Sequence, residues 1–151
     1  MITSPFRKLL RTYDQVFQMS RGPHLYLDLQ GLMANNLGGK GPDFQADKGI
    51  RFKHVAADNA QSVDLLVTVD PESFYEPQQG AALNGLQGDF GNVFLERDSE
   101  TVLQFELVDS VTSDAMVFED LVLKFFDSDS GVEGSDISTY SIEALDECEA
   151  G

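Results

Sequence analysis

The stretch Asp127-Ser128-Asp129-Ser130-Gly131-Val132-Glu133-Gly134-Ser135-Asp136 places four carboxylates within one turn-forming segment. Alternate Asp residues followed by Gly let side-chain and carbonyl oxygens converge on a hard cation, and Ca²⁺ takes about six to eight oxygens at about 2.3–2.6 Å. Asp127, Asp129, Glu133 and Asp136 are therefore candidate metal ligands, with Ca²⁺ as the implied cofactor. The spacing is not that of an EF-hand: Gly131 stands where a ligand belongs, the bidentate terminal Glu is missing, and no helical pattern flanks the segment. A cation held in a loop and a solvated acidic turn are the two readings.

A second segment, Asn35-Asn36-Leu37-Gly38-Gly39-Lys40-Gly41-Pro42-Asp43, has three glycines in four positions. They open backbone conformations closed to other residues. The Walker spacing and its Ser or Thr are missing, so a nucleotide cradle is excluded. Asn36 and Asp43 form a second candidate pair of oxygen donors, to an ion or a sugar; the alternative is a shaped turn. Aromatic rings stack on pyranose faces while amides and carboxylates grip hydroxyls. Phe74, Tyr75, Asn84, Asp89 and Phe90 fit that chemistry in one long separator, although the chain has no Trp. The alternative is that these rings plug the ends of a core.

Catalysis has little to stand on. His24 and His54 fall in strand patterns, and no GxSxG elbow occurs. Cys148 lies among acidic residues, which disfavour its thiolate. A pair of carboxylates suffices for a glycosidase, but 26 acidic residues always offer pairs. The expectation is a non-enzyme.

The elements that must position these residues fit into 151 residues, one domain's worth. The net charge of −16 opposes nucleic-acid binding, which needs a basic face. No apolar run approaches a membrane span. One cysteine excludes an internal disulfide. Charge is uneven: residues 1–21 carry four basic residues and one acidic, a net of +3, and the remainder carries −19.

The cationic start reads as an amphipathic helix over 1–22. Ser4 would cap it, Pro5 would occupy its first position, and Gly22-Pro23 would stop it. Phe6, Leu9, Leu10, Tyr13 and Phe17, at three- and four-residue spacings, would form one apolar face, which either covers the domain itself or serves as a partner interface on a neighbouring subunit. From His24 the period becomes two. Strands are expected over 24–30, 50–55, 62–69, 93–95, 101–107, 116–126 and 139–144, with Val63, Leu65 and Val67 inward in the third, and Leu103, Phe105 and Leu107 inward in the fifth. No helical pattern separates them, so parallel α/β folds are disfavoured. The expected fold is all-β, an antiparallel β-sandwich of jelly-roll type over 23–146, preceded by the arm at 1–22 and followed by a tail at 147–151.

The ordered string of Asn35-Asn36-Leu37-Gly38-Gly39, Gly41-Pro42-Asp43, Ile50-Arg51-Phe52, Val63-Asp64-Leu65, Asn84-Gly85, Gly88-Asp89-Phe90-Gly91, Val108-Asp109-Ser110 and Phe125-Phe126-Asp127-Ser128-Asp129 resembles a β-rich module of large secreted or surface proteins of marine protists and algae. The likeness covers about residues 24–145 and implies a β-rich fold in an extracellular or cell-surface setting. Salt water would screen the acidic self-repulsion, and about millimolar Ca²⁺ would make weak loop sites useful. The expected function is a non-catalytic structural or assembly module that self-associates through its arm. A calcium-dependent carbohydrate-binding module is the alternative. The expected partners are protein, chiefly further copies of the chain, and in the alternative glycan.

Overall fold

A computed structural model describes residues 6–10, 14–21, 25–26, 29, 31–58, 61–77, 80–95, 99–116, 121–127 and 141–144, with side chains described for residues 29, 31–55, 61–77, 80–95 and 99–116. The described chain is β-rich and all its strand pairs are antiparallel. The strands are β1 (Phe6–Leu10), β2 (Asp14–Arg21), β3 (Leu25–Tyr26), β4 (Leu32–Asn35), β5 (Ile50–Asp58), β6 (Gln61–Val69), β7 (Gly85–Gln87), β8 (Phe90–Phe94), β9 (Thr101–Asp109), β10 (Leu121–Asp127) and β11 (Ser141–Ala144). One sheet runs β11-β1-β9-β6-β5-β4; the other runs β10-β2-β8-β7, with β3 added beside β2. Single 3₁₀ turns occupy Leu37–Gly39 and Ala81–Leu83.

Every stretch expected as a strand contains one. In β9 the alternation runs from Thr101 to Leu107: Thr101, Leu103, Phe105 and Leu107 are buried and the residues between them are half-buried, until Val108, which is buried as well. Val63, Leu65 and Val67 of β6 are likewise fully buried. They join Ile50, Phe52, Leu103 and Phe105 in one apolar cluster, which also takes Val93 from the second sheet and Leu29, Leu37, Tyr75 and Leu95 from the connections. Each such side chain contributes about 1.5–3 kcal/mol by leaving water.

Among the described residues, the expected helix at the start of the chain is not found. Phe6–Leu10 is a strand lying between β9 and β11, and Asp14–Arg21 is a strand between β8 and β10. A helix of about 14 residues is marginal in water by itself, whereas without β1 and β2 the inner edges of β9 and β8 would lack a ladder partner. The partner interface expected on that helix changes with it. Phe6, Leu9 and Leu10 stand in β1 and Phe17 in β2, both paired on two sides; Tyr13 is outside the described residues.

Two short strands, β4 and β7, fall inside segments expected to be loops. β5 and β6 are offset at one place: Phe52 faces Leu65 and Ala56 faces Val63, so three residues of β5 lie opposite Asp64 alone. His54, in the middle of those three, has φ +55°.

Candidate functional site

Two polar centres shape the surface of this fold. The first forms at the β5 offset. Asp64 stands between inward Val63 and Leu65, and its side chain is 2% exposed. A carboxylate buried so deeply must be supplied with donors. The His54 N–H donates to Oδ1 at 2.9 Å, the Ser110 hydroxyl bonds the same oxygen, and Arg51 Nε donates to Oδ2 at 2.7 Å. Burial raises the carboxyl's pKa, but the Ser110 hydroxyl, the His54 N–H and the Arg51 guanidinium outweigh it and hold Asp64 below the usual carboxylate value. Arg51 also reaches Ser113 Oγ at 3.0 Å. The turn after β9 brings these serines into place: Asp109 Oδ1 accepts the N–H groups of Val111 and Thr112, both at 2.8 Å, which holds the Asp109 carboxyl below its usual value. His54 Nδ1 meets Ser62 Oγ across the hairpin.

The second centre is built from asparagines. Asn35 Nδ2 donates to the carbonyls of Ala81 and Asn84, at 3.2 and 3.0 Å, binding β4 to the turn before β7. Asn92 Nδ2 donates to the Leu83 carbonyl at 3.0 Å. Asn84 accepts the Phe94 N–H at 2.7 Å and donates to the Tyr75 hydroxyl at 2.8 Å, which donates on to the Phe94 carbonyl at 3.0 Å. Burial pushes the Tyr75 hydroxyl up to about 12, against a smaller downward pull from Asn84. The 36–49 connection folds back on the end of β4. Asp43 Oδ2 accepts the Asn35 N–H at 2.7 Å, the Asp43 N–H donates to the Asn35 carbonyl at 3.2 Å, and Asn36 Nδ2 donates to the Ala46 carbonyl at 2.7 Å. Gly38 (φ +60°) leaves room for the Tyr75 ring; a Cβ there would come within 2.8 Å of it. Among the described residues, the buried Oδ1 atoms of Asn35, Asn36 and Asn92 have no hydrogen-bond partner.

These bonds set two aromatic rings in solvent on pinned backbone. Phe44 is 76% exposed, next to the anchored Asp43. Phe74 is 71% exposed, while its carbonyl is held by Thr101 Oγ1 at 2.8 Å. The two loops touch through Lys40 Nζ and Glu76 Oε2 at 3.4 Å and through Gly38 on Tyr75.

The expected site residues separate accordingly. Of the acidic segment, Asp127 ends β10, while Asp129, Glu133 and Asp136 are outside the described residues. Asn36 and Asp43 belong to one loop: one Asp43 oxygen is occupied by the Asn35 N–H, and Asn36 keeps a buried acceptor oxygen without a donor among the described residues. The glycan set is divided. Tyr75 and Asn84 are buried and bonded to each other, Asp89 is exposed in the β7–β8 turn, Phe90 is half-buried, and Phe74 alone presents most of its ring. The burial of Tyr75 fits the alternative reading, that rings of this separator plug the ends of the core, and Asn84 is buried with it. Phe44 was missed because nothing local marks its ring as outward. The Asp64 centre was missed as well; its one signal was a charge inside an apolar strand run, with Arg51 on the neighbouring strand. Among the described residues, no three His, Cys, Asp or Glu side chains gather closely enough to hold a metal ion.

No known protein family, no curated protein and no solved structure matches the chain.

Proposed function

We propose that the chain is a non-catalytic structural or assembly module of an extracellular or cell-surface protein, an antiparallel β-sandwich of jelly-roll type that associates with further copies of itself. The observation that carries this is the pairing of spent polar groups with displayed apolar ones. The carboxyl and amide groups of Asp64, Asp43, Asn35 and Asn84 are engaged in holding backbone and loops. Met33, Phe44, Phe74 and Leu83 meanwhile stand 62%, 76%, 71% and 60% exposed. Large apolar groups on fixed backbone lose little entropy on contact, which suits them to anchor an interface. The net charge of −16 and the resemblance noted above support the setting, because salt shortens the range of self-repulsion to about 8 Å or less. Ca²⁺ at Asp127, Asp129, Glu133 and Asp136 would neutralise the densest acidic stretch and favour association further.

Light scattering of the full chain, with and without about millimolar CaCl₂, tests this reading. Multimers that grow with protein concentration and with Ca²⁺ are expected. A monomer under every condition would refute self-association.

The exposed rings of Phe44 and Phe74 on touching loops favour one second reading, a carbohydrate-binding surface. A glycan array probed with the wild-type chain and with Phe44→Ala and Phe74→Ala separates the two. Binding to glycans that both variants lose would favour the sugar.

A further inference from the structure

We propose that Asn84-Gly85 is a self-modification site that the fold keeps shut: the folded chain protects it, and in an unfolded chain water converts Asn84 to aspartate or isoaspartate, either of which spoils the asparagine brace. The site is independent of how the molecules associate.

The chain has five asparagines, and Asn84 is the only one followed by glycine. The others precede Asn36, Leu37, Ala60 and Val93, whose own side chains crowd the backbone nitrogen. Gly85 has no side chain, so in an unfolded chain its nitrogen is open to the Asn84 amide. That nitrogen gives up its proton to solvent and attacks Asn84 Cγ. The new N–Cγ bond closes a five-membered imide. The Cγ–Nδ2 bond breaks, and Nδ2 leaves as ammonia after taking a proton back from solvent. Water then opens the imide at either carbonyl. One product is aspartate; the other is isoaspartate, in which the main chain runs through the former side chain. The sum is one water taken up and one ammonia released, with nothing oxidised or reduced.

The fold requires both residues and blocks their reaction. Gly85 has φ +109°, and a Cβ there would come within 2.9 Å of Leu32. Position 84 needs a side chain that accepts and donates at once: Oδ1 takes the Phe94 N–H at 2.7 Å, and Nδ2 gives to the Tyr75 hydroxyl at 2.8 Å. The backbone of Asn84 is tied as well, its carbonyl to Asn35 Nδ2 at 3.0 Å and its N–H to the Ala81 carbonyl at 3.3 Å. The whole residue is 4% exposed. For Cγ to swing onto the Gly85 nitrogen, both side-chain bonds must break and water must enter, so the reaction waits on local opening. Either product then damages the brace. Aspartate has no N–H for the Tyr75 hydroxyl and buries a charge in place of a neutral amide. Isoaspartate adds a methylene to the main chain, which breaks the register that sets Gly85 opposite Asn92.

Incubation of the full wild-type chain at mildly alkaline pH, folded in buffer and unfolded in guanidinium chloride, tests the site, with peptide mass spectrometry reading conversion at each asparagine. In guanidinium Asn84 is expected to convert first. In buffer its conversion is expected to be about tenfold or more slower, because two hydrogen bonds hold the amide away from the reactive pose. Tyr75→Phe, which frees Nδ2, is expected to speed conversion in the folded chain and to leave the guanidinium rate unchanged. Asn84→Asp is expected to unfold at a lower guanidinium concentration than wild type, followed by circular dichroism. Equal wild-type rates in the two buffers, or no preference for Asn84 in guanidinium, would overturn the proposal without any variant. So would a folded Tyr75→Phe chain that converts no faster than wild type, or an Asn84→Asp chain that is as stable.

Discussion

The Asp64 centre and the asparagine brace both take polar atoms out of water, but to different standards. At Asp64 both carboxylate oxygens are bonded, to the His54 N–H, the Ser110 hydroxyl and Arg51. In the brace, Asn35, Asn36 and Asn92 each use their N–H groups and leave Oδ1 without a partner among the described residues. The difference follows from charge. A buried carboxylate without donors would cost several kcal/mol, so it survives only where saturated. A neutral amide oxygen left open costs about 1–3 kcal/mol, which a well-packed fold can carry. Tolerance for an unmade hydrogen bond therefore tracks the charge of the group.

The sharpest way to break this comparison is Asp64→Ala. It strands Arg51 and the His54 N–H together and is expected to lower the unfolding free energy in urea by about 3 kcal/mol. The same substitution should alter the acid limb. The Asp64 carboxyl is held below its ordinary value of 3.8, so its stabilisation is complete above 3.8 and disappears as pH falls through the lower folded-state value. Wild type should lose stability across that window more steeply than the variant. Parallel slopes would show that Asp64 is not paired as described.

Tyr75→Phe comes next. It removes a donor to the Phe94 carbonyl and an acceptor for Asn84, for an expected loss of about 1–2 kcal/mol by thermal or urea denaturation. With its hydroxyl raised to about 12, Tyr75 stabilises the fold below the ordinary value of 10 and ceases to do so as pH rises through 12. Tyrosinate absorbance should show one of the four tyrosines ionising late, and the variant should lack that step. The smallest effect should be Asn36→Ala, about 1 kcal/mol, since it gives up one bond to the Ala46 carbonyl and also removes the unpartnered oxygen. If Asn36→Ala costs more than Tyr75→Phe, the orphan oxygen has a partner of its own and the comparison fails.

The alternating strands were legible because their inward residues repeat every second position, as in Leu103, Phe105 and Leu107. β1 was not, because Phe6, Leu9 and Leu10 fit a helical spacing as well as a strand. What decides its state is the ladder offered by β9, nearly a hundred residues away. The same non-locality hid the brace. Asn84 and Tyr75 sit in a separator rich in turn residues, and only the return of that loop onto the core makes them interior. Asp64 was readable as an odd charge in an apolar run, but its donors come from a register offset and a distant turn that no local pattern encodes.

That offset has a consequence for sidedness. Pairs before it, such as Phe52 with Leu65, and pairs after it, such as Ala56 with Val63, differ by two positions in β5 relative to β6. Inside the offset the strict alternation is lost: Lys53 and His54 are both exposed and Val55 is buried. Loss of a single residue from 53–55 would leave two residues opposite Asp64, the count of an ordinary β-bulge, and loss of two would restore a plain ladder. The His54 N–H that reaches Asp64 belongs to that insertion, so a shorter segment would give up a donor to the buried carboxylate.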